Sequence, residues 1–109
     1  MISLDLIKRA SERIAPHIIR TPLAESAALS DLSGTQVYMK LEHHQLTGSF
    51  KLRGATNAVL QLSRHERERG VIAASTGNHG RALAYAARAV GSHATICMSH
   101  LVPENKVSE

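Results

Sequence analysis

Lys51 stands directly after the chain's single phenylalanine, in the run Thr47-Gly48-Ser49-Phe50-Lys51-Leu52-Arg53-Gly54-Ala55. Ala55, Ala58, Val59 and Leu62 recur at helical spacing, so a helix is expected from Phe50 to about Leu62, with Ser49 as its cap. Lys51 then falls in the first turn, where the helix dipole already places positive charge. That field, with partial burial, favours the neutral amine, the species that attacks an aldehyde to form an imine. A solvent-facing lysine at a helix start accounts for the same residues without any chemistry.

A second run, Ser75-Thr76-Gly77-Asn78-His79-Gly80, follows the apolar stretch Val71-Ile72-Ala73-Ala74 and precedes an alanine-rich segment. This is a strand-to-helix turn. Its backbone N–H groups open toward the start of the next helix, an arrangement suited to a carboxylate or phosphate. Gly77 and Gly80 permit close backbone approach, and Ser75, Thr76 and Asn78 add side-chain donors. A simple helix cap explains the same residues. Neither a G-x-G-x-x-G fingerprint nor a G-x-x-x-x-G-K-[ST] loop is present, which argues against the usual dinucleotide and nucleotide folds.

The elements around these runs follow from periodicity. Ser3 caps a first helix to about Ala15 that presents Ile7, Ala10 and Ile14 on one face, and Pro16 ends it. Thr21-Pro22-Leu23 is extended, and Ala24 to Leu32 is expected as a short helix closed by Gly34. Residues 36–42 alternate and read as a strand with one buried face. Residues 43–48 form a polar loop, and the mixed charges of Ser63 to Arg69 describe a solvated helix end or loop. Residues 71–74 read as a strand covered on both faces, Arg81 to Val90 as a helix and 93–98 as a third strand. Pro103 starts another helix at Glu104. The order β-α-β-α-β-α implies an α/β fold, a parallel open sheet with flanking helices. Ligands of such sheets collect at the carboxyl ends of the strands, where both runs lie.

Composition narrows the function. The chain has 109 residues, of which 43% are hydrophobic, enough for a packed core. Its net charge is +4, but the charges are mixed and aromatic residues make up only 3%, so a nucleic-acid partner is not expected. No apolar run approaches a membrane span, and the opening Met1-Ile2-Ser3-Leu4-Asp5 lacks the features of a secretory signal. Cys97 is a lone cysteine, read as a small buried hydrophobe, and gives no disulfide framework. His43-His44 sits in a loop without other ligands at metal-binding spacing, so no metal site is expected.

Taken together, the two runs resemble fold-type II pyridoxal-phosphate enzymes of the threonine/serine dehydratase family. The resemblance is carried by Lys40-Leu41-Glu42, Gln45, Thr47 to Lys51, Arg53-Gly54-Ala55, Ala74 to Gly80, Pro103 with Lys106, and the opening Thr21-Pro22-Leu23. It implies the N-terminal part of a tryptophan synthase β-like fold. It implies that Lys51 holds pyridoxal 5′-phosphate as an imine and moves the substrate's α-proton, that Phe50 packs beside the cofactor ring, and that Asn78 hydrogen-bonds the ring's 3′-oxygen. It further implies that Ser75, Thr76, Gly77 and His79 hold the carboxylate of a small amino-acid substrate. The reaction implied is β-elimination from a hydroxy amino acid, giving a 2-oxo acid and ammonia. Within the family the chain looks most like hydroxyectoine-utilisation dehydratases, on the runs Ala94 to Ser99 and Leu101 to Val107.

The same resemblance marks a departure. The family's glycine-rich phosphate loop and the partner of the pyridine nitrogen come later in its sequence, and no run of adjacent glycines exists here. An N-terminal piece of a longer cytoplasmic enzyme is therefore expected, with residues 1–69 bearing the lysine and residues 70–109 beginning the smaller lobe. As it stands, such a piece is expected to turn over little, and the longer form to be a homo-oligomer. The competing reading is a small anion-binding α/β module that keeps the Ser75–Gly80 turn without catalysis.

Overall fold

A computed structural model describes residues 1–108; Glu109 and the side chain of Lys106 lie outside the described residues. Helix α1 (Leu4–Ile14) is capped by Ser3, whose hydroxyl accepts the Leu6 N–H, and it runs into a 3₁₀ turn at Ala15–His17. Of the expected apolar face, Ile14 is buried and Ile7 is exposed. The helix meets α3 (Lys51–Leu60) at its C-terminal end, where Arg13 donates to the Asn57 Oδ1 at 2.6 Å.

Strand β1 (Leu23–Glu25) occupies part of the segment expected to be helical, because it finds a partner in β2 (Tyr38–Lys40). The two pair antiparallel, Leu23 opposite Lys40 and Glu25 opposite Tyr38. Helix α2 (Ala27–Ser33) lies between them, capped by Ser26 and closed at Gly34. The alternation over 36–42 thus yields a shorter strand that belongs to a hairpin-like pair and not to the parallel sheet.

Helix α4 (Arg64–Arg69) is a regular helix where a solvated end or loop was the expectation. A complete capping box explains it: Ser63 Oγ accepts the Glu66 N–H, and the Glu66 carboxylate accepts the Ser63 N–H.

Strands β3 (Val71–Ala74) and β4 (Ala94–Cys97) run parallel, in register from Val71 opposite Ala94 to Ala74 opposite Cys97. Helix α5 (Asn78–Ala89) makes the crossover, as alternation of strand and helix requires. Ile72 is 71% exposed, so β3 is covered on one face and not on both. Its residues alternate between half-buried and exposed because α5 packs on one side. Cys97 is likewise exposed, which corrects its reading as a buried hydrophobe. A last short helix, α6 (Glu104–Val107), starts after Pro103.

The core lies between α3 and α5, the pair of helices in most extensive contact. Leu52, Ala55 and Val59 from α3 meet Ala82, Leu83 and Ala86 from α5. Leu52 and Ala82 are fully buried. Five of α5's twelve residues are alanine, which lets the helices approach closely, and the core draws on both sides of Gly70. No helix among the described residues is long and apolar enough to cross a membrane.

Candidate functional site

Each of the two helices that share the core begins at one of the runs singled out by sequence. At α3 the helix starts on Lys51, with Phe50 at the N-cap position and no side-chain cap. Ser49 is buried and does not cap: among the described residues its hydroxyl finds no partner, and neither does that of buried Thr47. The first turn contains no acid and carries two cations, Lys51 and Arg53. Lys51 is exposed where partial burial was expected, and its ammonium lies 4.9 Å from the Phe50 ring centroid. Phe50 is itself 58% exposed, so ring and amine are presented together at the surface.

The loop that delivers them is held from a distance. Gln45 is buried and clamps it: its amide oxygen accepts the Ile19 N–H at 2.9 Å, and its amide nitrogen donates to the Ile19 carbonyl at 2.9 Å. Gly48 turns the chain with φ +70°, a conformation that favours glycine, and its N–H donates to the Gln45 carbonyl at 2.7 Å. Glu42 takes both Nε and Nη2 of Arg53, at 2.9 and 2.6 Å, and the Thr21 hydroxyl at 2.5 Å. The Arg53 guanidinium hydrogen-bonded to Glu42 lowers its carboxyl from 4.5 to about 2 against the opposing effect of burial. The same contact raises Arg53. Lys40 closes the network by donating to the Thr21 carbonyl at 2.6 Å.

At α5 the turn organises itself. The Ser75 hydroxyl accepts the Gly80 N–H at 3.0 Å and the Gly77 N–H at 3.4 Å. Its own backbone N–H continues the ladder to the Cys97 carbonyl. Ser75 therefore shapes the turn, and of its donors the hydroxyl proton is left to offer a ligand. Thr76, Gly77, Asn78 and His79 are exposed along the rim, and Asn78 is the first residue of α5. Gly77 has open space where a Cβ would stand, whereas at Gly80 a Cβ would lie 2.8 Å from Ile96 Cγ2 and 3.3 Å from Ser75 Cβ. Gly80 thus belongs to helix-on-strand packing.

The two runs meet through Arg81, whose guanidinium reaches the Thr47 carbonyl at 3.5 Å. The structure so places Phe50 and Lys51 on one helix start, and Ser75, Thr76, Gly77, Asn78 and His79 on the other, with one core beneath both. Sequence reasoning missed the work of Gln45 and of the Glu42–Arg53 pair. Their only signal was their place in the resemblance, because their partners are distant in the chain. His43 and His44 lie with ring centroids 4.2 Å apart, and among the described residues no three His, Cys, Asp or Glu side chains gather as a metal site.

The donor set can be tested against an aldehyde cofactor with an aromatic ring. An exposed primary amine beside an exposed aromatic face fits the aldehyde and ring, and a side-chain amide at a helix start fits a ring oxygen. Nothing among these residues forms a glycine-rich phosphate cup.

Known proteins resemble the chain at the level of family and of fold. The family described as pyridoxal-phosphate dependent enzyme matches residues 14–109. A protein of Sinorhizobium fredii named as a threonine dehydratase is 73% identical over 108 residues, covering 99% of this chain and 32% of that protein. An L-threonine ammonia-lyase of Thermotoga maritima is 46% identical, covering 100% of this chain and 27% of its own. The crystal structure of a serine racemase from Dictyostelium discoideum superposes with a TM-score of 0.92 at 37% identity, over 98% of this chain and 35% of that one. The chain thus spans about a third of the length of these relatives.

Proposed function

The chain belongs to the pyridoxal-phosphate dependent enzyme family, and from that premise we propose that Lys51 is its cofactor-bearing lysine and that the reaction is dehydration and deamination of a hydroxy amino acid. When bound, the cofactor supplies an electron sink for the carbanion formed at the substrate's α-carbon. Lys51 would hold it covalently through Nζ and later move the proton at the α-carbon. Phe50 would pack beside its ring, and Asn78 would donate to its 3′-oxygen. The rim of Ser75, Thr76, Gly77 and His79 would hold the substrate carboxylate, where the α5 N-terminus favours negative charge. The product would be a 2-oxo acid, with release of ammonia.

The observation that carries this reading is the joint presentation of Lys51 and Phe50 at one helix start, with the exposed α5 turn at the start of the other helix that shares the core. Identity to proteins named for threonine supports that substrate, and serine shares its hydroxyl chemistry. An amino acid derived from hydroxyectoine rests on Ala94 to Ser99 and Leu101 to Val107 alone. We assign residues 1–69 to the lysine-bearing part and 70–109 to the start of a smaller lobe. We further propose a cytoplasmic, homo-oligomeric enzyme in its longer form, and weak cofactor binding by these 109 residues, because no glycine-rich phosphate cup forms among the described residues.

The test is an absorbance spectrum with added pyridoxal phosphate, followed by borohydride reduction and peptide mapping. A label concentrated on Lys51 and lost in Lys51→Ala is the expected result. Equal labelling of Lys8, Lys40 and Lys51 would overturn the assignment. If a carboxylate titration then still shifted the amides of residues 76–79, the anion-binding module would be the better reading.

A further inference from the structure

Helix α3 breaks a simple electrostatic rule. Its first turn carries two cations and no acid, its N-cap residue offers no side-chain hydrogen bond, and the nearest hydroxyl, that of Ser49, is buried without a partner. A helix start so composed should fray. The compensating negative charge comes from another element: Glu42, in the 3₁₀ turn Glu42–His44, grips Arg53 through two nitrogens. A two-point Arg–carboxylate contact fixes orientation as well as distance. Arg53 lies two residues beyond Lys51, so on a helix the two side chains leave on nearly opposite faces. Glu42 is itself held by the Thr21 hydroxyl, and Thr21 by Lys40, so the contact is anchored to the β1–β2 pair.

We propose that Glu42 and Arg53 form a positioning pair that sets the rotation of the first turn of α3 and thereby the direction of the Lys51 amine. The proposal rests on Lys51 being the cofactor-bearing group, but it concerns the helix start alone. It explains why the pair sits opposite the amine: the first turn is gripped from behind, and the reacting face stays free.

The test reads Lys51 without cofactor. In proton NMR of the 109-residue chain, the Lys51 ε-methylene should be displaced upfield of those of Lys8 and Lys40 by the Phe50 ring. Glu42→Gln and Arg53→Gln should each lose at least half of that displacement, while amide exchange of Ala82 to Ala87 in α5 stays as in the unaltered chain. Arg53→Lys, which keeps the charge but makes only a one-point contact, should retain part of it. Thr21→Val, which removes one bond and leaves the ion pair, should give a smaller loss and serves if the other variants do not fold. An unchanged Lys51 signal in folded Glu42→Gln or Arg53→Gln overturns the proposal, as does a loss shared equally by α5. Borohydride labelling separates the two claims. Failure to label Lys51 in the unaltered chain counts against the cofactor role, and the NMR outcome still decides the pair.

Discussion

The two helix starts reach the same end by different means. At α5, the order is local: Ser75 binds the N–H groups of residues two and five positions ahead, and Gly80 lets the helix settle on Ile96. At α3, order is imported: Glu42, Gln45, Thr21 and Ile19 hold a loop whose own hydroxyls, on Thr47 and Ser49, are buried without partners. A self-capped turn tolerates change in its surroundings. A turn held from outside is only as stable as its furthest anchor.

The largest expected effect should come from breaking the outside anchor. Arg53→Met leaves a partly buried carboxylate unpaired and should cost about 2 kcal/mol in urea unfolding. The pH dependence has a definite sign. Glu42 has a lowered pKa in the folded chain, so its contribution is fully present above about 4.5 and is lost as pH falls toward about 2. Acid unfolding of the unaltered chain should show this loss, and Arg53→Met should flatten it. Equal acid profiles would mean that the pair contributes nothing.

Gly80→Ala comes next. Alanine favours helix, but its Cβ meets the branched, stiff Ile96 at 2.8 Å. The net cost should be about 1–2 kcal/mol, with recovery in the double variant Gly80→Ala, Ile96→Leu, which moves the branch away. Lack of recovery would place the cost elsewhere. Ser75→Ala should then cost about 1 kcal/mol, by removing the acceptor for Gly80 and Gly77. Ser49→Ala should do the reverse. Losing an unpaired buried hydroxyl should leave thermal stability unchanged or raise it slightly. A clear loss there would reveal a partner for that hydroxyl and erase much of the contrast.

The same contrast explains what could be read from sequence. The α5 turn was legible because its determinants lie within six consecutive residues, and α4 could have been found from Ser63 and Glu66 alone. Strands β3 and β4, and the helix between them, follow from periodicity and alternation. The α3 start was half legible. Lys51 was placed correctly in the first turn, but Ser49 was misread as its cap because nothing local shows that Glu42 supplies the missing charge. The β1–β2 pair was missed for the same reason: three-residue strands owe their existence to each other.

The alanine-lined contact between α3 and α5 has a mechanical consequence. Because Leu52 and Val59 of α3 share one buried cluster with Ala82 and Ala86 of α5, the side chains between the helices act as a spacer of fixed thickness. Adding or removing a methyl group in that spacer would change the distance between α3 and α5 without altering Lys51 or the Ser75–Gly80 turn. The spacing of the two helix starts is therefore adjustable from within the core, one carbon atom at a time.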